Sequence, residues 1–154
     1  MGRWDAEKEG TAIAIRLSTG ARNFILDSGL NTLFDTDGAI NVYSGTIPAN
    51  ADADVGAGTL LATLTFSTDW IGAASSGTST LAAITSDTNV DASGTAAWFR
   101  VYDVSEGVTG ASSTKKRIDG TVGTSGADLN FNTVTFVAGG TAAISSFTIT
   151  LPAT

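Results

Sequence analysis

The sequence contains no cysteine and no histidine among its 154 residues. Their absence excludes disulfide bonds, zinc sites built on these ligands, thiol nucleophiles and Ser-His-Asp triads. Ser125, in the stretch GTSGAD, lacks both the complete nucleophile-elbow pattern and a histidine that could activate it. We therefore expect a protein that is not an enzyme and needs no cofactor.

Charge is also scarce, since Asp, Glu, Lys and Arg make up 15% of the chain, against roughly 25% in an average soluble domain. The chain has 8 basic and 15 acidic residues and a formal net charge of −7. Binding to phosphate groups requires clustered Lys and Arg, so we expect no nucleic-acid partner and no membrane partner. No apolar run reaches the roughly 18 residues of a membrane span, and the first ten residues do not resemble a signal peptide.

Strand-like alternation of apolar and polar residues runs through most of the chain, with turn signals about every ten residues. It predicts strands over residues 11–17, 40–45, 60–66, 81–84, 95–104, 117–122, 128–137 and 142–151, and a surface loop over 45–58. Helical spacing occurs only between about Ala21 and Phe34, with a break expected at Ser28-Gly29. These patterns predict an all-β fold, a single antiparallel β-sandwich of jelly-roll or immunoglobulin-like type, with one short helical segment near the N-terminus.

The chain is predicted to consist of a polar N-terminal arm, residues 1–11, and a β-sandwich domain, residues 12–154. Trp4 is the one large apolar residue of the arm. Two interpretations stay open: a flexible arm, or an arm that orders on a neighbouring subunit with Trp4 as its anchor. We expect the core of the domain to contain Leu61, Leu64, Phe66, Trp98, Val101, Phe136, Phe147 and Ile149.

One basic cluster, formed by Lys115, Lys116 and Arg117, interrupts this acidic sequence. It is interpreted either as a solvated loop tip or as a docking site for an acidic neighbour, which could be another copy of the same chain. The surface is otherwise rich in Thr, Ser, Gly and Ala, which allow close contact between copies because few charges need to be desolvated.

Two pairs of acidic residues and one aromatic run are further candidate sites. Asp52 with Asp54, and Asp35 with Asp37, could supply oxygen ligands to Ca²⁺, but neither loop has the full spacing with a closing acid. We therefore expect no metal. The aromatic residues of the predicted strand 95–104 could stack on a sugar, but alternation along a strand favours core packing for at least two of Trp98, Phe99 and Tyr102.

Several stretches resemble a family of small, uncharacterised structural proteins encoded by tailed bacteriophages and prophages. They are AAWFRVYD (96–103), RIDGTVGTSGADLNFN (117–132) and VAGGTAAISSFTITLP (137–152), preceded in the same order by RLSTGARNFILDSG (16–29), INVYSGTIPANAD (40–52) and GTLLATLTF (58–66). The resemblance covers about residues 12–152, and the first eleven residues extend beyond it.

The resemblance implies a virion structural protein that is made in the bacterial host cytoplasm. Its expected partners are copies of itself and other virion proteins, above all the major capsid protein. We expect a capsid decoration (cement) protein that stabilises the shell. The alternatives are a tail or fibre-associated module that binds a host surface glycan, and a neck or tail-tube component.

Overall fold

The computed structural model describes residues 17–34, 38–66, 69–82 and 84–152, and strands dominate this part of the chain. The strands are β1 Gly38–Tyr43, β2 Leu60–Phe66, β3 Thr78–Thr80, β4 Gly94–Thr95, β5 Trp98–Asp103, β6 Arg117–Gly123, β7 Leu129–Phe131, β8 Thr135–Phe136 and β9 Ile144–Thr150. The predicted all-β fold with one helical segment near the N-terminus is confirmed. The predicted strand over 11–17 lies, apart from Leu17, outside the described residues.

The helical segment is continuous, and the break expected at Ser28-Gly29 is wrong. Helix α1, Thr19–Phe24, passes into a π-helical turn, Ile25–Leu30, and then into α2, Asn31–Leu33. The side chain of Ser18 caps α1 by accepting a hydrogen bond from the Ala21 amide at 3.1 Å. The sequence signal for a break therefore corresponds to a wider turn in which the chain stays helical.

Seven strands form one curled sheet in the order β2-β1-β5-β6-β7-β9-β3, and β4 pairs with β8 in a small second sheet. Every pairing is antiparallel except β6 with β7, which run parallel through Val122 opposite Leu129. The predicted strand over 128–137 is in fact two strands, β7 and β8, which belong to different sheets. The predicted strand over 81–84 is reduced to isolated bridges, and the regular strand there is β3.

Both outer strands of the large sheet are covered by loop segments. On the β2 side, the Thr85 amide donates to the Thr65 carbonyl and the Asp91 amide donates to the Leu61 carbonyl, both at 2.8 Å. On the β3 side, the Gly72 amide donates to the Thr80 carbonyl at 2.8 Å. The sheet therefore presents little of the unpaired edge through which strands of separate molecules commonly associate.

The core fills the inside of the curled sheet, where Phe99 and Phe147 meet edge to face at 5.1 Å. Seven of the eight predicted core residues are buried: Leu61, Leu64, Phe66, Trp98, Val101, Phe136 and Phe147. Ile149 is only half-buried, although it packs against the same core. Trp98 is buried on the opposite face of the sheet from Phe99, so both faces of β5 are covered.

Candidate interaction surface

The outer face of strands β1, β5 and β6 carries a layer of polar and aromatic side chains. Alternation along β5 places Trp98 and Arg100 on this face and Phe99 on the core side. A charged residue on the outside of a sheet is normally solvated, yet Arg100 is 0% exposed. The loop over residues 44–58 reaches Arg100 at Ala53 and is bonded to the loop over residues 104–116; together the two loops are called the loop platform below.

Arg100 connects the sheet to this platform. Its Nε and Nη2 atoms donate to the two carboxylate oxygens of Asp119 at 2.7 and 2.6 Å, and the strand register places the two residues directly opposite each other. Its Nη1 atom donates to the carbonyl of Ala53 in the first loop at 2.9 Å, and its guanidinium lies 5.8 Å from the centroid of the Trp98 ring. The guanidinium is thus paired bidentately and holds the loop from beneath.

The aromatic part of the layer is also joined by hydrogen bonds. Tyr43 stacks on Trp98 with ring centroids 4.4 Å apart, and its hydroxyl accepts from the Asn41 amide nitrogen at 3.1 Å. The Asn41 carbonyl oxygen accepts from Thr63 at 3.1 Å and from the Tyr102 hydroxyl at 3.4 Å. Burial raises the pKa of both tyrosine hydroxyls, so they stay protonated at neutral pH. Apart from the Trp98 indole nitrogen, which has no hydrogen-bond partner, the polar groups of the layer bond to one another and form a structural network.

The two loops of the platform are bonded to each other. The Ser112 amide donates to the Asp52 carbonyl at 2.8 Å, and the Gly110 amide donates to the Asp54 carboxylate at 2.9 Å. The Asp54 carboxylate also accepts from the Val55 amide at 2.8 Å. The hydrogen bonds from Gly110 and, second, from Val55 lower the pKa of Asp54. The Asp54 carboxylate therefore joins the two loops of the platform.

Across the described parts of the chain, no three acidic residues come together as metal ligands, and Asp35 and Asp37 lie outside those parts.

The basic cluster fastens the second loop of the platform. Lys116 Nζ lies 2.8 Å from Asp103 and 3.5 Å from Glu106. Lys115 Nζ and Arg117 Nη2 both donate to the Thr109 carbonyl, at 2.8 and 3.0 Å. The hydrogen bond between Lys116 and Asp103 lowers the pKa of Asp103 and raises that of Lys116. All three cations are partly exposed, and the cluster forms part of the rim of the platform. Its role in docking an acidic neighbour stays a prediction.

The remaining predicted site residues are placed apart. Trp98 and Phe99 are buried on opposite faces of β5 and Tyr102 is half-buried, so the three form no common stacking surface for a sugar. Trp4 lies outside the described residues. The sequence reasoning missed Arg100 and Asp119, although a charged residue within each of two predicted strands was a visible signal.

Two apolar side chains are exposed on the platform, one in each loop. Ile47 is 38% exposed and Val104 is 49% exposed. A groove of about 340 Å³ lies elsewhere, between residues 80–86 and 144–147, and its lining residues carry no charged side chain. The platform therefore combines apolar contact points with a rim of hydrogen-bonded charges, a composition that occurs at protein–protein interfaces.

No helix within the described ranges is both long enough and apolar enough to cross a membrane. Comparison of the chain with protein-family models, with curated proteins and with solved structures found no match in any of the three. The resemblance to bacteriophage proteins therefore stays a prediction.

Proposed function

We propose that the protein is a structural component of a bacteriophage virion, namely a decoration protein that binds the outside of the capsid shell and stabilises it. The observation that supports this most is the loop platform, whose first loop is held to the sheet through Arg100 and to the second loop through Asp54 and Gly110. The buried polar groups beneath the platform hold its loops in one conformation.

A platform of this kind is suited to binding a preformed protein lattice. Loops that already have their bound conformation lose little conformational entropy on association, which favours binding without a deep pocket. Ile47 and Val104 supply apolar contact area. Lys116 and Asp103 are paired within the chain and Lys115 donates to the Thr109 carbonyl, so less desolvation is required when the surface is covered.

The major capsid protein is the proposed partner of the platform, and other copies of the chain are the proposed neighbours on the shell. Only 15% of residues are charged, which permits close contact between adjacent copies. The arm, residues 1–11, would reach a neighbouring subunit with Trp4 as its anchor. The protein would be made in the host cytoplasm and function in the virion.

The proposal is tested by adding purified protein to phage heads that lack it and measuring the bound amount. Ile47→Asp combined with Val104→Asp places charge on both apolar contact points and should weaken binding at least about tenfold, roughly 1.4 kcal/mol. The matched control is Val137→Asp, because Val137 is 64% exposed and lies outside the platform. Equal loss in both variants would refute the role of the platform, and heads that do not bind the unaltered protein would refute decoration.

One alternative has an observation in its favour. The 340 Å³ groove is lined by hydroxyls of Thr80, Ser86, Ser145 and Ser146, which can donate to and accept from a sugar. A tail or fibre-associated module would use such a groove for a host surface glycan. Binding of purified protein to a glycan array, abolished by Ser145→Trp, would favour this alternative over decoration.

A further inference from the structure

The three cations of the basic cluster have different surroundings. Lys116 is paired with a carboxylate, that of Asp103. Lys115 Nζ and Arg117 Nη2 instead share one neutral acceptor, the carbonyl of Thr109, at 2.8 and 3.0 Å. Among the residues that the structure describes, no carboxylate lies within ion-pair distance of Lys115 or Arg117. Two of the three positive charges are therefore not neutralised by a contact within this part of the chain.

Strand geometry explains why the cluster divides in this way. Arg117 begins β6 and lies opposite Tyr102 of β5, on the face of the sheet that also carries Arg100. Lys115 precedes it by two residues and reaches the same carbonyl, whereas the intervening Lys116 turns to Asp103. Lys115 and Arg117 thus lie together on the platform side of the sheet.

The guanidinium of Arg117 has further donors that nothing in the described ranges takes up. Its Nε and Nη1 atoms are enclosed and have no hydrogen-bond acceptor there. After the hydrogen bonds from Gly110 and Val55, the charge of Arg117 contributes to the lowered pKa of Asp54. The Asp54 carboxylate is nevertheless occupied by those two backbone amides and makes no ion pair with Arg117. The charge of Arg117 therefore acts on its surroundings without a counter-ion in contact.

The shared carbonyl brings the two positive charges close together. Like charges at short distance repel each other, and an anion placed against both would remove this repulsion. Both hydrogen bonds to the Thr109 carbonyl lie at the protein surface, so Lys115 Nζ and Arg117 Nη2 can be reached from outside. The two oxygens of a carboxylate can accept from both nitrogens at once, and such charge-assisted hydrogen bonds are stronger than those to a neutral carbonyl.

We propose that Lys115 and Arg117 together bind one carboxylate, an Asp or Glu side chain of the capsid shell protein on which the platform docks. The inference rests on the proposed decoration role, which supplies the protein that covers the platform. Lys115 belongs to the same loop as Val104, an apolar contact point that is 49% exposed. The protein that covers Val104 therefore also covers this site, and its acidic residue is expected beside an apolar one.

Binding to phage heads that lack the protein tests the site against a matched charge control. Arg117→Gln and Lys116→Gln each remove one positive charge, at adjacent positions. Arg117→Gln should weaken binding at least about threefold at low salt, and the loss should disappear near 1 M salt, where the Debye length is only about 3 Å. Lys115→Gln should behave in the same way, whereas Lys116→Gln should bind as the unaltered protein does.

The failures of this inference and of decoration can be told apart. An equal loss in Arg117→Gln and Lys116→Gln, or a loss in Arg117→Gln that persists at high salt, would overturn the carboxylate site and leave decoration standing. Heads that do not bind the unaltered protein at any salt concentration would refute decoration, and with it the shell protein as the source of the carboxylate. A dimer in analytical ultracentrifugation that Arg117→Gln dissociates would also overturn that source, since a second copy would then supply the carboxylate.

A titration tests the carboxylate site without phage heads. Hexaglutamate peptide is added to isotopically labelled protein at low salt, and the Nε–H resonance of Arg117 is followed by NMR. It should shift and saturate, while the Nε–H resonance of Arg100, which is bonded to Asp119, stays in place. Absence of a shift at Arg117 would overturn the site. Tighter binding of a single-stranded DNA hexanucleotide than of the peptide would overturn its assignment to a carboxylate.

Discussion

Replacing Asp119 with alanine should strongly destabilise the fold. The carboxylate is the bidentate partner of Arg100, whose side chain is 0% exposed, and the Asp119 side chain is itself 8% exposed. Removing one partner of a buried ion pair leaves the other charge desolvated and unpaired, which costs about 3–5 kcal/mol. Urea unfolding followed by tryptophan fluorescence measures this loss, since Trp98 lies under the guanidinium.

Two comparisons make the result specific to the buried pair. Lys116→Ala removes an ion pair whose lysine side chain is 37% exposed, and it should destabilise the fold far less than Asp119→Ala, because solvent screens the pair. Arg100→Met combined with Asp119→Leu removes both charges and should be more stable than Asp119→Ala alone. The double variant should nevertheless be cleaved faster by protease near Ala53, whose carbonyl loses its donor. A loss below about 1 kcal/mol for Asp119→Ala would refute the reasoning, because it would mean that water reaches the pair.

The remaining predictions concern the core, pH and metal. Phe147→Ala should lower the free energy of unfolding by about 3–5 kcal/mol, measured by urea unfolding, whereas the exposed Val137→Ala should change it by less than about 0.5 kcal/mol. The pKa values of Asp54 and Asp103 are lowered from the ordinary 3.8, so their stabilisation is present above that pH and is lost as the pH falls through their folded pKa values. Acid unfolding monitored by circular dichroism should therefore begin at higher pH in Asp54→Asn, which lacks this stabilisation throughout. A chelator should leave the melting temperature unchanged, and a drop of many degrees would revive the metal site at Asp52 and Asp54 or at Asp35 and Asp37.

Strands with regular alternation could be predicted from the sequence alone. The stretch LLATLTF gave the bounds of β2, Leu60–Phe66, and the predicted strand over 117–122 lies within β6. In both cases the local preference for an extended chain agrees with the position in the sheet. The helical segment was likewise predicted, because residues 19–33 carry apolar positions at helical spacing.

The corner between β7 and β8 could not be predicted from alternation. Phe131 and Phe136 are five residues apart, so one continuous strand would place them on opposite faces. The chain bends between them, and both rings enter the core, where they meet at 5.2 Å. Val134 and Thr135 continue the strand-like pattern through this region, which is why the sequence indicated a single strand.

The candidate site could not be predicted in full, because its contacts join residues that are far apart in the sequence. The sequence placed Arg100 and Asp119 in two strands, but their pairing follows from the register between β5 and β6. The burial of Arg100 further depends on Ala53, which is 47 positions away in the sequence. The reasoning from the sequence therefore found the residues of the rim, Lys115 to Arg117, and missed the pair that supports the surface from beneath.

The central claim is that the protein decorates the capsid shell, and its copy number in purified virions tests this most directly. Heads and tails are separated and the protein is quantified in each by mass spectrometry against labelled peptides, with the major capsid protein as the internal standard. Decoration predicts that the protein is in the head fraction, in a fixed whole-number ratio to the symmetry-related positions of the shell. A few copies per particle, or recovery with the tails, would contradict it.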